Sequence, residues 1–76
     1  MGRIAQGESC TIPAGYDHAV VTNTDANRKG SYDIVIEENS TKKQIDAGET
    51  QRTKIYRNET TITNSGKAEL EVEHCD

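Results

Sequence analysis

The chain has 76 residues, 32% of them hydrophobic, and a formal net charge of −4 at pH 7. That length holds one small domain, and the acidic balance argues against nucleic-acid phosphates as the main target. No apolar run approaches the ~20 residues needed to span a bilayer, and Met1-Gly2-Arg3-Ile4-Ala5 lacks the hydrophobic segment of an export signal.

In chain order, residues 1–7 read as an N-terminal arm to a single β domain. Residues 9–13 and 18–24 read as the first two strands, with a turn at Ala14-Gly15-Tyr16-Asp17. A polar loop from Asp25 to Gly30 leads to a long strand, Ser31 to Glu38, in which Tyr32, Ile34 and Ile36 share a face by the period of two. Asn39-Ser40-Thr41 predicts a turn into a short strand at Lys42–Asp46. Ala47-Gly48-Glu49 predicts the next turn, and residues 51–57 the next strand. Thr60–Asn64 is expected to form a hairpin with Lys67–His74 across Asn64-Ser65-Gly66. In that last strand Ala68, Leu70 and Val72 alternate with Glu69, Glu71 and Glu73. No window carries a helical period.

Three stretches recur. Ile12-Pro13-Ala14-Gly15 returns as Ile45-Asp46-Ala47-Gly48, Val21-Thr22-Asn23-Thr24 as Ile62-Thr63-Asn64-Ser65, and the alternating run from Tyr32 to Glu37 as Ala68 to Glu73. A degenerate internal duplication of β-strand vocabulary follows. The predicted fold is all-β, a small antiparallel sandwich or jelly-roll-like barrel of about seven short strands. Its core must be small: the chain has seven Ile, four Val, one Leu and three Tyr, with no Phe or Trp. Added stabilisation is therefore expected from a partner subunit, an assembly or a disulfide.

Few residues suggest chemistry. No Gly-rich phosphate loop, catalytic triad or Cys-x-x-Cys cluster is present, so no enzyme activity and no cofactor are expected. Glu69, Glu71 and Glu73 form an acidic row that needs solvent or cations, and Arg52, Lys54 and Arg57 are the basic residues available to it. Tyr56, between Ile55 and Arg57, is the best single contact candidate, because Tyr and Arg dominate interface energetics. Cys10 and Cys75 leave three arrangements open. Buried free thiols are favoured by the missing export signal; an intrachain or an intersubunit disulfide are the others.

Residues 7–23 resemble the second metal-site motif of the cupins: Gly7, Pro13, Gly15 and His18 fall in register, and Asn23 is one residue late. The resemblance implies His18 as a metal ligand. The family's earlier motif, with two His and a Glu, is absent, so His18 would be underligated and the stretch reads as a turn used twice. The short strands, Ala-Gly turns, Thr-Asn corners and Glu-rich closing strand resemble small phage head-decoration or cement proteins. That resemblance implies a protein made in the host cytoplasm and carried on the virion as a homo-oligomer (a trimer in the simplest case), stabilising contacts between major capsid subunits. The alternative is a phage-encoded inhibitor or adaptor acting through the acidic strand; a cupin-like metal-binding protein is the second. Neither nucleic acid nor membrane is expected as a partner.

Overall fold

The computed structural model describes residues 2–75. They form eight strands: β1 (Gly2–Ile4), β2 (Ser9–Ile12), β3 (His18–Asn23), β4 (Gly30–Ile36), β5 (Asn39–Ile45), β6 (Thr50–Lys54), β7 (Thr60–Asn64) and β8 (Leu70–Val72). The fold is an all-β sandwich of two antiparallel four-stranded sheets. A front sheet has the order β1-β8-β3-β6 and a back sheet the order β2-β7-β4-β5. Inward residues alternate as the period of two requires: Val21 on β3, Tyr32 and Ile34 on β4, Ile62 on β7, and Leu70 and Val72 on β8 are buried between the sheets.

Four local predictions are corrected. Residues 2–4, assigned to the arm, pair with β8 as an eighth strand, Ile4 opposite Leu70. Asn39-Ser40-Thr41 lies inside β5, which runs alongside β4 from Asn39 opposite Ile36 to Ile45 opposite Gly30. The hairpin turn falls at Glu37-Glu38 instead, with Glu37 at φ 56°. The sixth strand ends at Lys54, and Ile55 is buried just beyond it. Finally, β7 and β8 are not a hairpin, because they belong to opposite sheets. The Asn64 side chain accepts the Gly66 N–H at 2.9 Å, and this local turn sends the chain across the sandwich.

The duplication is present in three dimensions. Advancing each strand of the front sheet by four places turns β1-β8-β3-β6 into β5-β4-β7-β2, which is the back sheet read from its other edge. The register is set by Gly7 and Gly48, Glu8 and Glu49, and Asn23 and Asn64, each pair 41 residues apart (48 less 7, 49 less 8, 64 less 23). Gly7 and Gly48 both have positive φ, 84° and 73°, in the turns after β1 and β5. Behind them Glu8 accepts the Ala5 N–H at 2.7 Å, and Glu49 accepts the Asp46 N–H at 2.8 Å. Of the three sequence matches, the Val21–Thr24 and Ile62–Ser65 pair keeps this register. Ile45-Asp46-Ala47-Gly48 corresponds instead to Ile4-Ala5-Gln6-Gly7. Tyr32 corresponds to Leu70 and not to Ala68, since Tyr32 faces Asn64 across the back sheet as Leu70 faces Asn23 across the front.

The two asparagines interlock the halves. Both are fully buried. Asn64 Nδ2 donates to the carbonyls of Ile4 (3.0 Å) and Ala68 (2.8 Å). Asn23 Nδ2 donates to those of Ile45 (3.3 Å) and Arg28 (2.7 Å). Their backbone N–H groups cross over as well, Asn23 to the Glu49 carbonyl and Asn64 to the Glu8 carbonyl, both at 2.9 Å. Each half thus satisfies buried polar groups of the other.

Cys10 and Cys75 form an intrachain disulfide, with Cα atoms 5.7 Å apart, in place of the free thiols favoured from the sequence. Their proximity follows from β1, which brings the end of β8 to the edge where β2 lies. The bridge spans 65 residues, nearly the whole chain.

Candidate interaction surface

The outer face of the front sheet gathers most of the residues singled out in the sequence. Its middle strand, β3, points His18, Val20 and Thr22 outward, because the intervening Ala19, Val21 and Asn23 are buried. On one side β8 and its flanks carry Glu69, Glu71 and Glu73. On the other side β6 carries Thr50, Arg52 and Lys54. The backbone places them in rows. Arg52 is opposite Val20, and the Glu73 N–H donates to the Val20 carbonyl at 3.1 Å. One row therefore reads Glu73, Val20, Arg52. The next reads Arg3, Glu71, Thr22, Thr50.

The cation that serves the acidic row is Arg3, not Arg52, Lys54 or Arg57. Arg3 Nη1 lies 3.1 Å from Glu69 and Nε 3.5 Å from Glu71. The assignment of residues 1–7 to an arm hid this contact. Arg57 pairs with Asp17 at 3.4 Å, and the Lys54 ammonium lies 5.2 Å from the centroid of the Tyr56 ring. Apart from the half-buried Glu71, these groups are exposed, so each pair contributes at most about 1 kcal/mol.

The turn after β6 has different properties. Tyr56 and Arg57 both adopt left-handed backbone, φ 53° and 63°, and the Asn58 N–H closes the turn on the Ile55 carbonyl at 3.0 Å. A bulky aromatic residue in this region is a steric outlier. The surrounding structure holds it there. Ile55 is buried and donates its N–H to the Asp17 carbonyl, Gly15 N–H donates to the Arg57 carbonyl, and Arg57 N–H to the Tyr16 carbonyl. The Tyr56 side chain is left 68% exposed, the most exposed large hydrophobic side chain among the described residues.

Beside this turn the Tyr16 ring stacks on His74, centroids 3.9 Å apart and planes at 15°. Nothing in the local sequence announced this pair, because the two residues are 58 positions apart (74 less 16) and meet only through the β3–β8 pairing. Tyr32, on the face it shares with Ile34, is fully buried and donates its hydroxyl to Gln51 at 2.7 Å. Burial raises its pKa above the ordinary 10.0, the Glu49 charge adds to the rise, and a hydrogen bond from Thr53 offsets part of it.

His18 lies on β3 opposite Lys54. Among the described residues no group of three or more His, Cys, Asp or Glu is placed to hold a metal ion, and no cavity is found. Comparison with protein-family models, curated proteins and solved structures returns no match.

Proposed function

We propose that this protein is a non-enzymatic interaction module that engages a protein partner through the Tyr56-Arg57 turn, in the role of a surface-bound decoration or cement protein of a virus particle. The observation that carries the contact assignment is the exposed Tyr56 ring on left-handed backbone. Strain of order 1–2 kcal/mol per residue is retained at a position where glycine or asparagine would relieve it. A surface tyrosine presented on a rigid turn, with Arg57 beside it, combines the residue types that dominate protein contacts. The particle role rests on the architectural resemblance to head-decoration proteins. The acidic strand favours this reading over nucleic-acid mimicry, because Arg3 already pairs with two of its three carboxylates.

The test is peptide counting by mass spectrometry across a density gradient of lysate from the native source. Co-migration with a megadalton particle at a fixed ratio to its major subunit is expected. Recovery only in light fractions overturns the particle role. Purified Tyr56→Ala/Arg57→Ala protein is expected to rebind the particle more weakly than wild type with an unchanged β-rich circular-dichroism spectrum. Equal rebinding removes the turn from the contact.

A further inference from the structure

We propose that two copies of this chain associate through the outer faces of their front sheets, about a two-fold axis running along β3. This goes beyond the reading of the Tyr56-Arg57 turn and uses a different surface. Strands in a sheet are ~4.8 Å apart, so the β8 carboxylates and the β6 cations form two columns roughly 10 Å apart, one on each side of β3. Arg52 and Lys54 enter no ion pair among the described residues.

A two-fold axis parallel to β3 and in the plane of the contact exchanges the two sides while keeping each row level. Arg52 then meets the partner's Glu73, Glu73 meets the partner's Arg52, and Val20 meets the partner's Val20 between them. The contact is self-complementary, as a two-fold interface requires. The face carries three cations (Arg3, Arg52, Lys54) against three carboxylates (Glu69, Glu71, Glu73). The net charge of −4 on the chain therefore does not oppose approach on this side. A foreign partner of single charge sign would meet as many repulsive groups as attractive ones, whereas a second copy turned about this axis sets Arg52 against Glu73 twice and Glu71 against the neutral Thr50. Sheets packed face to face in this way lie within about 30° of parallel, which brings the central rows closest.

Sedimentation velocity over roughly 1 µM to 1 mM, at low and high salt, tests the pairing with Arg52→Glu, Glu73→Arg and the double exchange. The wild type is expected to form a concentration-dependent dimer that weakens with salt. Each single reversal places like charges opposite one another twice per dimer and is expected to weaken association at least about tenfold. The double exchange restores the match and with it the dimer. Circular dichroism identifies any variant that fails to fold, and the double exchange, with both residues changed, controls for loss of either side chain. A wild type that stays monomeric, a trimer mass, single reversals that dimerise as tightly as wild type, or a double exchange no tighter than the singles would each overturn the proposal. Particle binding through the turn is read separately, since neither Arg52 nor Glu73 belongs to it.

Discussion

The two halves of this molecule share a backbone plan but close the sandwich by different chemistry. Cys10 on β2 and Gln51 on β6 occupy equivalent places, 41 residues apart (51 less 10). At one edge Cys10 is bonded to Cys75 beyond β8. At the other, Gln51 donates to the Gln44 carbonyl at 2.8 Å and accepts the Tyr32 hydroxyl at 2.7 Å. A covalent tie acts largely by restricting the unfolded chain, whereas a hydrogen-bonded tie acts in the folded state alone. The repeat thus determines where an edge must be closed and leaves open how.

Breaking the covalent edge should have the largest effect. A bridge spanning 65 residues is worth about 4 kcal/mol in the chain-entropy model. Cys10→Ser/Cys75→Ser protein should therefore unfold at a much lower urea concentration than wild type, with a larger m because the released unfolded chain exposes more surface. A loss below about 1 kcal/mol would mean that the unfolded chain is already held compact without the bridge.

The interlocking asparagines come next. Asn64→Ala strands the buried carbonyls of Ile4 and Ala68 and frees the part-buried Gly66 N–H. A cost of about 2–3 kcal/mol is expected. Asn23→Ala should cost less, because one of its two donated bonds is already long at 3.3 Å. Equal losses in urea titrations of the two variants would indicate that this difference in geometry carries no energy.

How much of this was readable beforehand differs between the strands and their connections. The alternation of Leu70 and Val72 with the glutamates, and of Tyr32 and Ile34 with Asp33 and Val35, marks the buried faces directly, because a strand's period of two does not depend on its neighbours. Sheet membership left no such mark. Glycine after Asn64 suits a hairpin, but the Asn64 side chain satisfies the turn and sends the chain to the opposite sheet. The repeat was visible through Asn23 and Asn64, whose burial demands the same residue twice. Its register elsewhere was obscured by the longer loop before β4. On the candidate surface, Glu69, Glu71 and Glu73 were found from alternation, and Tyr56 from residue type. Arg3 was missed because a three-residue strand is too short to show a period. The Tyr16–His74 stack was missed because it depends wholly on pairing between distant strands.

At the hydrogen-bonded edge, Tyr32→Phe removes the bond to Gln51 and should cost about 1 kcal/mol near neutral pH. It should also change the alkaline limb of stability. The folded state holds the Tyr32 proton above the pKa of 10.0 that an unperturbed tyrosine shows. Below that pH neither state ionises, and the full stability is present. Above it the unfolded chain releases the proton first, so stability falls as pH rises until the folded phenol also ionises. Urea midpoints measured from pH 9 upward should decline more steeply in wild type than in Tyr32→Phe. Parallel declines would place the alkaline sensitivity elsewhere.

The smallest expected effect has the opposite sign. In the first half, the turn between β2 and β3 places Gly15 at φ 116°, where glycine is at no disadvantage. In the second half, the turn between β6 and β7 puts Tyr56 and Arg57 at positive φ. Two left-handed positions in succession are those of a type I′ turn, for which Asn-Gly is the preferred pair. Tyr56→Asn/Arg57→Gly should therefore relieve backbone strain. It also removes two exposed contacts, Lys54 over the Tyr56 ring and Arg57 with Asp17, each contributing at most about 1 kcal/mol. A net gain of roughly 0.5–1 kcal/mol is expected from urea titration. A gain in stability accompanied by loss of particle binding is the signature of residues kept for contact at the expense of the fold. A loss of stability would show instead that the surrounding bonds from Gly15, Tyr16 and Asp17 suit the present side chains, and the turn would then be a structural element of the second half.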